Sequence, residues 1–304
     1  LAIFVGGLLL SLPIAYQSPV SHSFLDALFT ATSAVCVTGL VTVDVGEYYS
    51  TFGQMVILVL IQLGGLGIMT FYVLLTLMLN RKMSHNETRE IQESLMASGR
   101  SETFGIIRKI VSFTLFFEFL GAVLLYISWR DTLGGPWYTL YNAVFHSISA
   151  YCNAGFSLFS DSLGRFATHS PTLLVVSMLI FIGGIGFPVM VNLFHHDYRR
   201  YGLSRIKLQT KLPIIVSVIL VVFGCFIILL GEYNSGLAGF ETSEKIMLSV
   251  FHSVSARTAG FSAVDIGLFG AGTLWMVLLL MFVGASPGST GGGIKTSTFG
   301  VLMV

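Results

Sequence analysis

Three short segments of the sequence end in a glycine loop, and their residue types suit the binding of a dehydrated cation. They read FTATSAVCVTGLVTVD from Phe29, FHSISAYCNAGFSLFSD from Phe145 and FHSVSARTAGFSAVD from Phe251. In each segment the phenylalanine is followed four residues later by Ser-Ala, then by a glycine, and then by an aspartate. The unit therefore occurs three times along the chain, which indicates an internal repeat.

The backbone of these loops is the expected source of the chemistry. Non-helical backbone inside a membrane leaves carbonyl groups unpaired, at about several kcal/mol each, unless it lines a cavity. Carbonyl oxygens that line a cavity can replace the water around a cation, and glycine allows the positive φ that turns them. The alternative is that the three segments are re-entrant hairpins that only fill the space between helices. Three copies with matched residues make this alternative less favourable. The predicted filter consists of Val37, Thr38, Gly39, Asn153, Ala154, Gly155, Thr258, Ala259 and Gly260.

A second candidate segment, GASPGSTGGG from Gly284, follows an apolar run that is too short to cross a membrane. The run at 273–283 is about 16 Å long as a helix, roughly half of a hydrocarbon core. Proline and glycine then interrupt the helix, and the serine and threonine residues of the segment offer hydroxyl groups to ions or water. A helix end at the membrane surface is the alternative. The predicted gate consists of Gly284, Ala285, Ser286, Pro287, Gly288, Ser289, Thr290, Gly291, Gly292, Gly293 and Lys295, whose amine either repels cations or pairs with a carboxylate.

Membrane spans are the elements that must position these segments. Of the 304 residues, 54% are hydrophobic and 10% charged, whereas a soluble domain has roughly 25% charged residues. This composition excludes a water-soluble globule. Apolar runs of about 20 residues predict spans at 51–80, 110–129, 171–194 and 212–231, with 1–16 as the end of another. Shorter runs predict half-helices at 24–35, 139–152 and 246–256.

Each half-helix lies between two spans, so the predicted fold is an all-α polytopic membrane protein built from tandem helix, pore half-helix, helix repeats. Repeat 1 is expected at 1–80 with its pore loop at 24–44, and repeat 2 at 110–194 with its pore loop at 139–161. Repeat 3 is expected at 212–304, with a pore loop at 246–265 and the gate loop at 284–294. Linkers at 81–109 and 195–211 separate the repeats.

The charges predict the orientation of the chain. Most of the 16 lysine and arginine residues lie in the two linkers, which are therefore expected to be cytoplasmic. The opposite side is mainly acidic, and a negative outer surface concentrates cations at an opening. The ordinary topology bias of charged residues is the alternative, which accounts for the inner lysines and arginines better than for the outer acids. The outer acids are Asp26, Asp44, Glu47, Asp131, Asp161, Glu232, Glu241, Glu244 and Asp265.

Two isolated charged residues and two glycine pairs are not accounted for by the predicted filter and gate. Glu118 lies within an apolar span, where a carboxylate is costly, and Arg257 is its expected partner. A structural tie between them is favoured over a role in proton or sodium coupling. The segments LGGLG at 63–67 and IGGIG at 182–186 favour close helix packing, with a share in gate movement as the alternative.

The motifs VTGL at 37–40, CNAGF at 152–156, RTAGF at 257–261 and GASPGSTGGGIK at 284–295 resemble a known family. The resemblance is to the membrane subunits of the Trk/Ktr/HKT potassium transporter superfamily, most closely the bacterial KtrB branch. It implies four helix-pore-helix repeats around a pseudo-fourfold potassium pore, so the fourth repeat is expected after Val304. Gly39 stands where sodium-transporting HKT relatives have serine, which favours potassium.

The resemblance also implies where and with what the protein works. It implies a multi-pass protein of the bacterial plasma membrane that forms a homodimer and binds a cytoplasmic nucleotide-binding ring of the KtrA type. Membrane lipid is an expected partner and nucleic acid is not. The transported ion would be K⁺, with Na⁺ as a possible coupled ion, and neither a cofactor nor an enzymatic step is expected. The alternative is a secondary cation transporter with alternating access, whose repeats would more naturally be inverted.

Overall fold

A computed structural model describes residues 1–17, 23–67, 100–193 and 208–303. Within these ranges the chain forms α-helices and short 3₁₀ turns, and no β-strand is present in them. Most of the two predicted linkers and the second half of the predicted span at 51–80 lie outside the described residues.

The helices follow one another as a regular series. They are α1 (Ala2–Leu10), α2 (Phe24–Val35), α3 (Val45–Tyr48), α4 (Thr51–Gly65), α5 (Arg100–Trp129), α6 (Pro136–Tyr151), α7 (Ser170–Ile185), α8 (Phe187–Leu193), α9 (Leu208–Glu232), α10 (Thr242–Thr258), α11 (Ala271–Phe282) and α12 (Thr296–Leu302). The 3₁₀ turns are Pro13–Ala15, Gly164–Phe166 and Ile266–Leu268. The helices α2, α6 and α10 correspond to the three predicted half-helices.

Each repeat consists of an outer helix, a half-helix and an inner helix that pack against one another. The three sets are α1, α2 and α4, then α5, α6 and α7, then α9, α10 and α11. The inner helix of each of the first two repeats also packs on the half-helix of the next, α4 on α6 and α7 on α10. The repeats therefore stand side by side in chain order, and the predicted all-α polytopic membrane fold is confirmed.

Two of the outer helices are long and apolar enough to cross a membrane. They provide spans of 23 residues each, Ile107–Trp129 in α5 and Thr210–Glu232 in α9. Large apolar side chains on them are exposed, among them Phe119, Val222 and Phe226. Exposed apolar side chains are stable against lipid, so these surfaces fit a membrane environment.

The predicted continuous span at 171–194 is wrong in one respect, because the chain bends by 95° between α7 and α8. The bend lies at Gly186, whose φ of 93° is open to glycine and strained for other residues. Pro188 follows in the first turn of α8, where the missing N–H costs nothing. Hydropathy counts apolar residues and does not record the direction of the chain, so it missed this break.

The glycine pairs of the inner helices lie against the ends of the half-helices. A side chain at Gly64 would collide with the carbonyl oxygen of Val35, and one at Gly183 with the carbonyl oxygen of Tyr151. These contacts support the packing interpretation of LGGLG and IGGIG. They also place the C-terminal ends of the inner helices at the depth of the pore loops.

Matched serines tie the second and third half-helices to their outer helices. Ser147 Oγ donates to the carbonyl oxygen of Glu118 at 2.6 Å, and Ser253 Oγ donates to that of Val221 at 2.8 Å. Both serines are buried, so each bond satisfies a hydroxyl that would otherwise be unpaired. The two half-helices are thus anchored in the same way.

The orientation inferred from the charges gives a labelling prediction for two exposed positions. Lys109 lies near the start of the α5 span, and Ser160 follows the second pore loop. In a full-length variant without the free cysteines Cys36, Cys152 and Cys225, we expect an impermeant maleimide added outside to label Ser160→Cys. Lys109→Cys should react only after the membrane is permeabilised. The reverse pattern would overturn the orientation.

Candidate functional site

The C-terminal ends of the half-helices lead directly into the predicted filter. The helices α2, α6 and α10 end at Val35, Tyr151 and Thr258, and the predicted filter residues follow or include these ends. The C-terminus of a helix carries a partial negative charge of about half an elementary charge. Three such ends beside one another favour a cation and disfavour an anion.

The first two filters begin with the same turn, in which a residue other than glycine has positive φ. These residues are Val37 (φ 54°) and Asn153 (φ 58°). The turn has the hydrogen bonds of a Schellman motif, which satisfies the last carbonyl groups of a helix. The N–H groups of Val37 and Thr38 donate to Ala34 and Ser33 at 3.2 and 2.8 Å, and those of Asn153 and Ala154 donate to Ala150 and Ser149 at 3.0 and 2.8 Å.

The third filter is built differently because its loop is one residue shorter. Helix α10 continues to Thr258, and positive φ appears first at Gly260 (φ 79°). The Gly260 N–H donates to the carbonyl oxygen of Ser255 at 3.1 Å, closing the helix end with the filter glycine itself. The three filters therefore share the glycine but not the turn before it.

The first two filter glycines lie against the next filter in chain order. A Cβ added to Gly39 would lie 2.5 Å from the carbonyl oxygen of Ala154 and 3.1 Å from Gly155 Cα. A Cβ added to Gly155 would collide with the carbonyl oxygen of Ala259. The first filter thus contacts the second, and the second contacts the third, with room at Gly39 and Gly155 for a hydrogen atom and no more, whereas no described atom lies within 4 Å of a Cβ added to Gly260.

A matched serine fixes the backbone just beyond two of the filter glycines. Ser149 Oγ donates to the carbonyl oxygen of Phe156 at 2.7 Å, and Ser255 Oγ donates to that of Phe261 at 2.6 Å. The corresponding Ser33 hydroxyl is buried, and none of the described residues accepts a hydrogen bond from it or donates one to it. The first filter therefore lacks a tie that the other two have.

The predicted gate segment folds back on itself after α11. The Gly284 N–H donates to the Ile294 carbonyl at 3.1 Å, and the Ala285 N–H donates to the Gly292 carbonyl at 3.1 Å. We call residues 284–294 the gate loop. These bonds pair some of the backbone N–H and carbonyl groups of the loop with one another, and non-helical backbone within a membrane needs such pairing.

The gate loop fills the space opened by the bend between α7 and α8. The Ser286 N–H donates to the Gly184 carbonyl at 2.9 Å, and the Phe187 N–H donates to the Gly288 carbonyl at 2.9 Å. The broken inner helix of repeat 2 and the gate loop of repeat 3 therefore complete each other's backbone hydrogen bonds.

Polar side chains join the gate loop to the filter and to itself. Thr290 Oγ1 lies 2.7 Å from Nδ2 of Asn153, a filter residue. Lys295 Nζ donates to the Gly291 carbonyl at 2.8 Å, so its bond within the described residues is to the loop rather than to a carboxylate. The loop is thus held directly against the second filter.

The expected pairing of Glu118 with Arg257 is wrong. The Glu118 carboxylate accepts a hydrogen bond from Gln62 Nε2 at 3.2 Å and lies 3.8 Å from Cys152 Sγ. Arg257 Nη2 instead donates to the Gly284 carbonyl at 3.0 Å and to Ser217 Oγ at 3.2 Å. Both side chains are buried, but they lie in different repeats and contact different neighbours.

Gln62 and Ser217 are site residues that the sequence reasoning missed. Each is a polar residue within an apolar helix, Gln62 in α4 and Ser217 in α9. That isolation was an available signal, because a buried polar side chain in a membrane helix needs a partner. Arg257, through Gly284, is consequently a tie to the gate loop and not to Glu118.

The chain matches a family model over most of its length. The model, TrkH, is described as a cation transport protein and matches residues 8–303. Among solved structures, the potassium transporter TrkH from Vibrio parahaemolyticus is similar, with a TM-score of 0.73 at 21% identity. The match covers 99% of this chain and 58% of that one, and at this identity it supports the fold alone.

Curated relatives are similar over the whole chain. Ktr system potassium uptake protein B of Bacillus subtilis (strain 168) is 39% identical, over 100% of this chain and 67% of the relative. Potassium/sodium uptake protein NtpJ of Enterococcus hirae is 36% identical, over 99% of this chain and 66% of the relative. The chain thus spans about two thirds of the length of these relatives.

Proposed function

Because the chain belongs to the TrkH family of cation transport proteins, we propose that it forms most of the ion path of a potassium uptake protein. It is a multi-pass protein of the bacterial plasma membrane, by its family and its helical spans. The proposed activity is movement of K⁺ down its electrochemical gradient through a filter of backbone carbonyl groups. No covalent step is needed for this movement.

The observation that carries the proposal is the contact between successive filters. Gly39 lies against the Ala154 carbonyl and Gly155 lies against the Ala259 carbonyl, so three glycine loops that follow matched half-helices lie next to one another. The C-termini of the three half-helices add partial negative charge at the same place. Carbonyl oxygens and helix C-termini together stabilise a cation that has lost its water.

The gate loop supplies the second part of the mechanism. It contacts the second filter through Thr290 and is tied to the third half-helix through Arg257. A loop in this position obstructs the path while its hydrogen bonds are intact and opens it when they are exchanged for water. The acids on the outer side concentrate cations at the entrance.

We propose that the assembly is larger than the described residues. A fourth repeat beside the third would complete a pseudo-fourfold filter, and two such chains would form the homodimer. A cytoplasmic nucleotide-binding ring of the KtrA type would bias the gate loop, acting only by its difference in affinity for the two loop arrangements. Sodium dependence is a further proposal, supported by the name of the Enterococcus hirae relative.

An alternating-access transporter is disfavoured by the arrangement of the repeats. The half-helices α2, α6 and α10 have the same order and the same packing in each repeat, whereas alternating access is typically built on inverted repeats. Flux measurements distinguish the two mechanisms, because a channel-like path conducts at a rate that follows voltage without saturating at a conformational turnover limit.

The test of the proposed function is K⁺ flux into liposomes that contain the full-length protein, measured against the imposed voltage. We expect flux that reverses at the K⁺ equilibrium potential and exceeds Na⁺ flux. Flux that saturates at a voltage-independent turnover would support alternating access. Absence of K⁺ flux from a correctly inserted protein would refute the proposal.

A further inference from the structure

The Asn153 side chain is fully buried where the second filter, the third filter and the gate loop meet. Its amide lies 3.0 Å from Thr258 Oγ1 and 2.7 Å from Thr290 Oγ1. Each contact pairs a donor with an acceptor in either orientation of the amide. One side chain therefore bonds the end of α10 and the gate loop at the same time.

The backbone of Asn153 fixes the direction of this side chain. Asn153 has a φ of 58° within the Schellman turn that ends α6. Asparagine adopts this conformation more readily than other residues with a Cβ. The equivalent residue of the first filter is Val37, which has no polar side chain to offer. Of the described filters, the second is thus the one equipped to bond the gate loop at this position.

Movement of the gate loop would change the bonding of Asn153. Thr290 Oγ1 is also 3.4 Å from the carbonyl oxygens of Tyr151 and Gly183, so Asn153 is its closest partner. If the loop withdraws, the fully buried amide loses its shortest bond. The same amide atom then keeps only a longer bond, to the Tyr151 carbonyl at 3.4 Å or, in the other orientation of the amide, to the Gly184 N–H at 3.3 Å, which is unfavourable until water enters. The bond therefore stabilises the loop against the filter.

The same side chain reaches the third filter. Thr258 directly precedes Ala259, whose carbonyl oxygen lies against Gly155. When Asn153 is released by Thr290, its hold on Thr258 also changes, because one amide makes both bonds. A change in the gate loop is thereby passed to the contact between two filters.

We propose that Asn153 is a positioning residue that latches the gate loop to the filter, so that gate opening and filter geometry are energetically coupled. This inference rests on the proposed function of the two elements. The latch consists of Asn153, Thr290 and Thr258. It opens when the Thr290 bond breaks, and the filter then relaxes through Thr258.

Flux from the full-length protein in liposomes tests the latch with matched variants. Thr290→Val keeps the shape and removes the hydroxyl, and we expect K⁺ flux to rise about 5- to 30-fold, as for the loss of one buried hydrogen bond. Thr290→Ser keeps the hydroxyl and should restore flux to near the wild-type value. Asn153→Gly, which keeps the positive φ, should raise flux and also lower the K⁺/Na⁺ flux ratio.

A double-variant comparison tests whether Asn153 and Thr290 act through one shared bond or affect flux independently. The double variant Asn153→Gly/Thr290→Val should exceed neither single variant in flux, since each single variant already removes the bond between Asn153 and Thr290 that holds the loop. Ser289→Ala removes a hydroxyl of the same loop whose bond, among the described residues, lies within the loop, to the Ser286 carbonyl. Its effect on flux should multiply with that of Asn153→Gly. Multiplicative effects for Asn153 with Thr290 would overturn the latch.

Hydrogen exchange of the peptide that covers 284–294 tests the latch without transport. Thr290→Val and Asn153→Gly should each speed exchange in this peptide about 5- to 30-fold, whereas Thr290→Ser should not. Unchanged exchange in both variants would overturn the latch even if the protein conducts K⁺. If the wild-type protein shows no K⁺ flux, the proposed function fails, and the exchange result alone decides whether the latch exists.

Discussion

Replacement of Gly39 by serine in the full-length protein is expected to lower the K⁺/Na⁺ permeability ratio by about tenfold or more. The φ of Gly39 is 79°, a conformation that costs a residue with a Cβ about 1–3 kcal/mol. The added Cβ would also lie 2.5 Å from the Ala154 carbonyl oxygen, closer than real Cβ contacts come. One of the two filters must therefore move, and about 1.4 kcal/mol of lost discrimination corresponds to tenfold.

The control for this prediction is Gly135→Ser. Gly135 also has a positive φ, 104°, but it lies in the loop before α6 and no described atom is within 4 Å of its added Cβ. This variant should lose stability without changing the permeability ratio. The measurement is the reversal potential of reconstituted protein in mixed K⁺ and Na⁺ gradients. An unchanged K⁺/Na⁺ permeability ratio in a folded Gly39→Ser protein would refute the assignment of Gly39 to the filter.

Several elements of the fold could be predicted because their signals are local. The half-helix α2 was expected at 24–35 from its short apolar run and is observed at Phe24–Val35. The structure adds its cap, because the Ser23 side chain accepts from the Leu25 N–H. The predicted half-helices at 139–152 and 246–256 are likewise observed, as α6 at Pro136–Tyr151 and α10 at Thr242–Thr258. The bend at Gly186 was missed because the span at 171–194 was predicted from its apolar composition alone. Glycine and proline both favour turns, and Gly186 and Pro188 were the available signals of a break in the helix.

The site was harder to predict, because its contacts join distant parts of the chain. Opposite charge suggested a Glu118 and Arg257 pair, yet Glu118 contacts Gln62 of repeat 1 and Arg257 contacts the gate loop. Charge complementarity says nothing about which side of a helix bundle a residue occupies. The bond between Asn153 and Thr290 spans 137 positions and has no sequence period that would reveal it.

Deletion of residues 286–293 from the full-length protein is expected to raise K⁺ flux about tenfold or more, with a much smaller change in selectivity. The deletion removes Thr290 and most of the loop that contacts the second filter, so the obstacle and its closest bond to Asn153 are both lost. The remaining ends can be joined, because Val283 and Ile294 form a parallel bridge and the Gly284 N–H bonds the Ile294 carbonyl. The filter residues themselves are untouched, so the ratio of K⁺ to Na⁺ flux should change far less than the rate.

The same deletion should also weaken the dependence of flux on a cytoplasmic regulator. A regulator shifts a two-state loop only by its difference in affinity for the two arrangements, and a protein without the loop has no such difference to exploit. Flux into liposomes is compared with and without the deletion, and with and without the regulatory ring, at equal amounts of folded and inserted protein. Replacing the eight deleted residues by an equally long Gly-Ser segment separates loss of the loop's bonds from loss of its bulk. Equal or lower flux in the deleted protein, with regulation intact, would mean that the loop is a structural break between α11 and α12 and that the path is gated elsewhere.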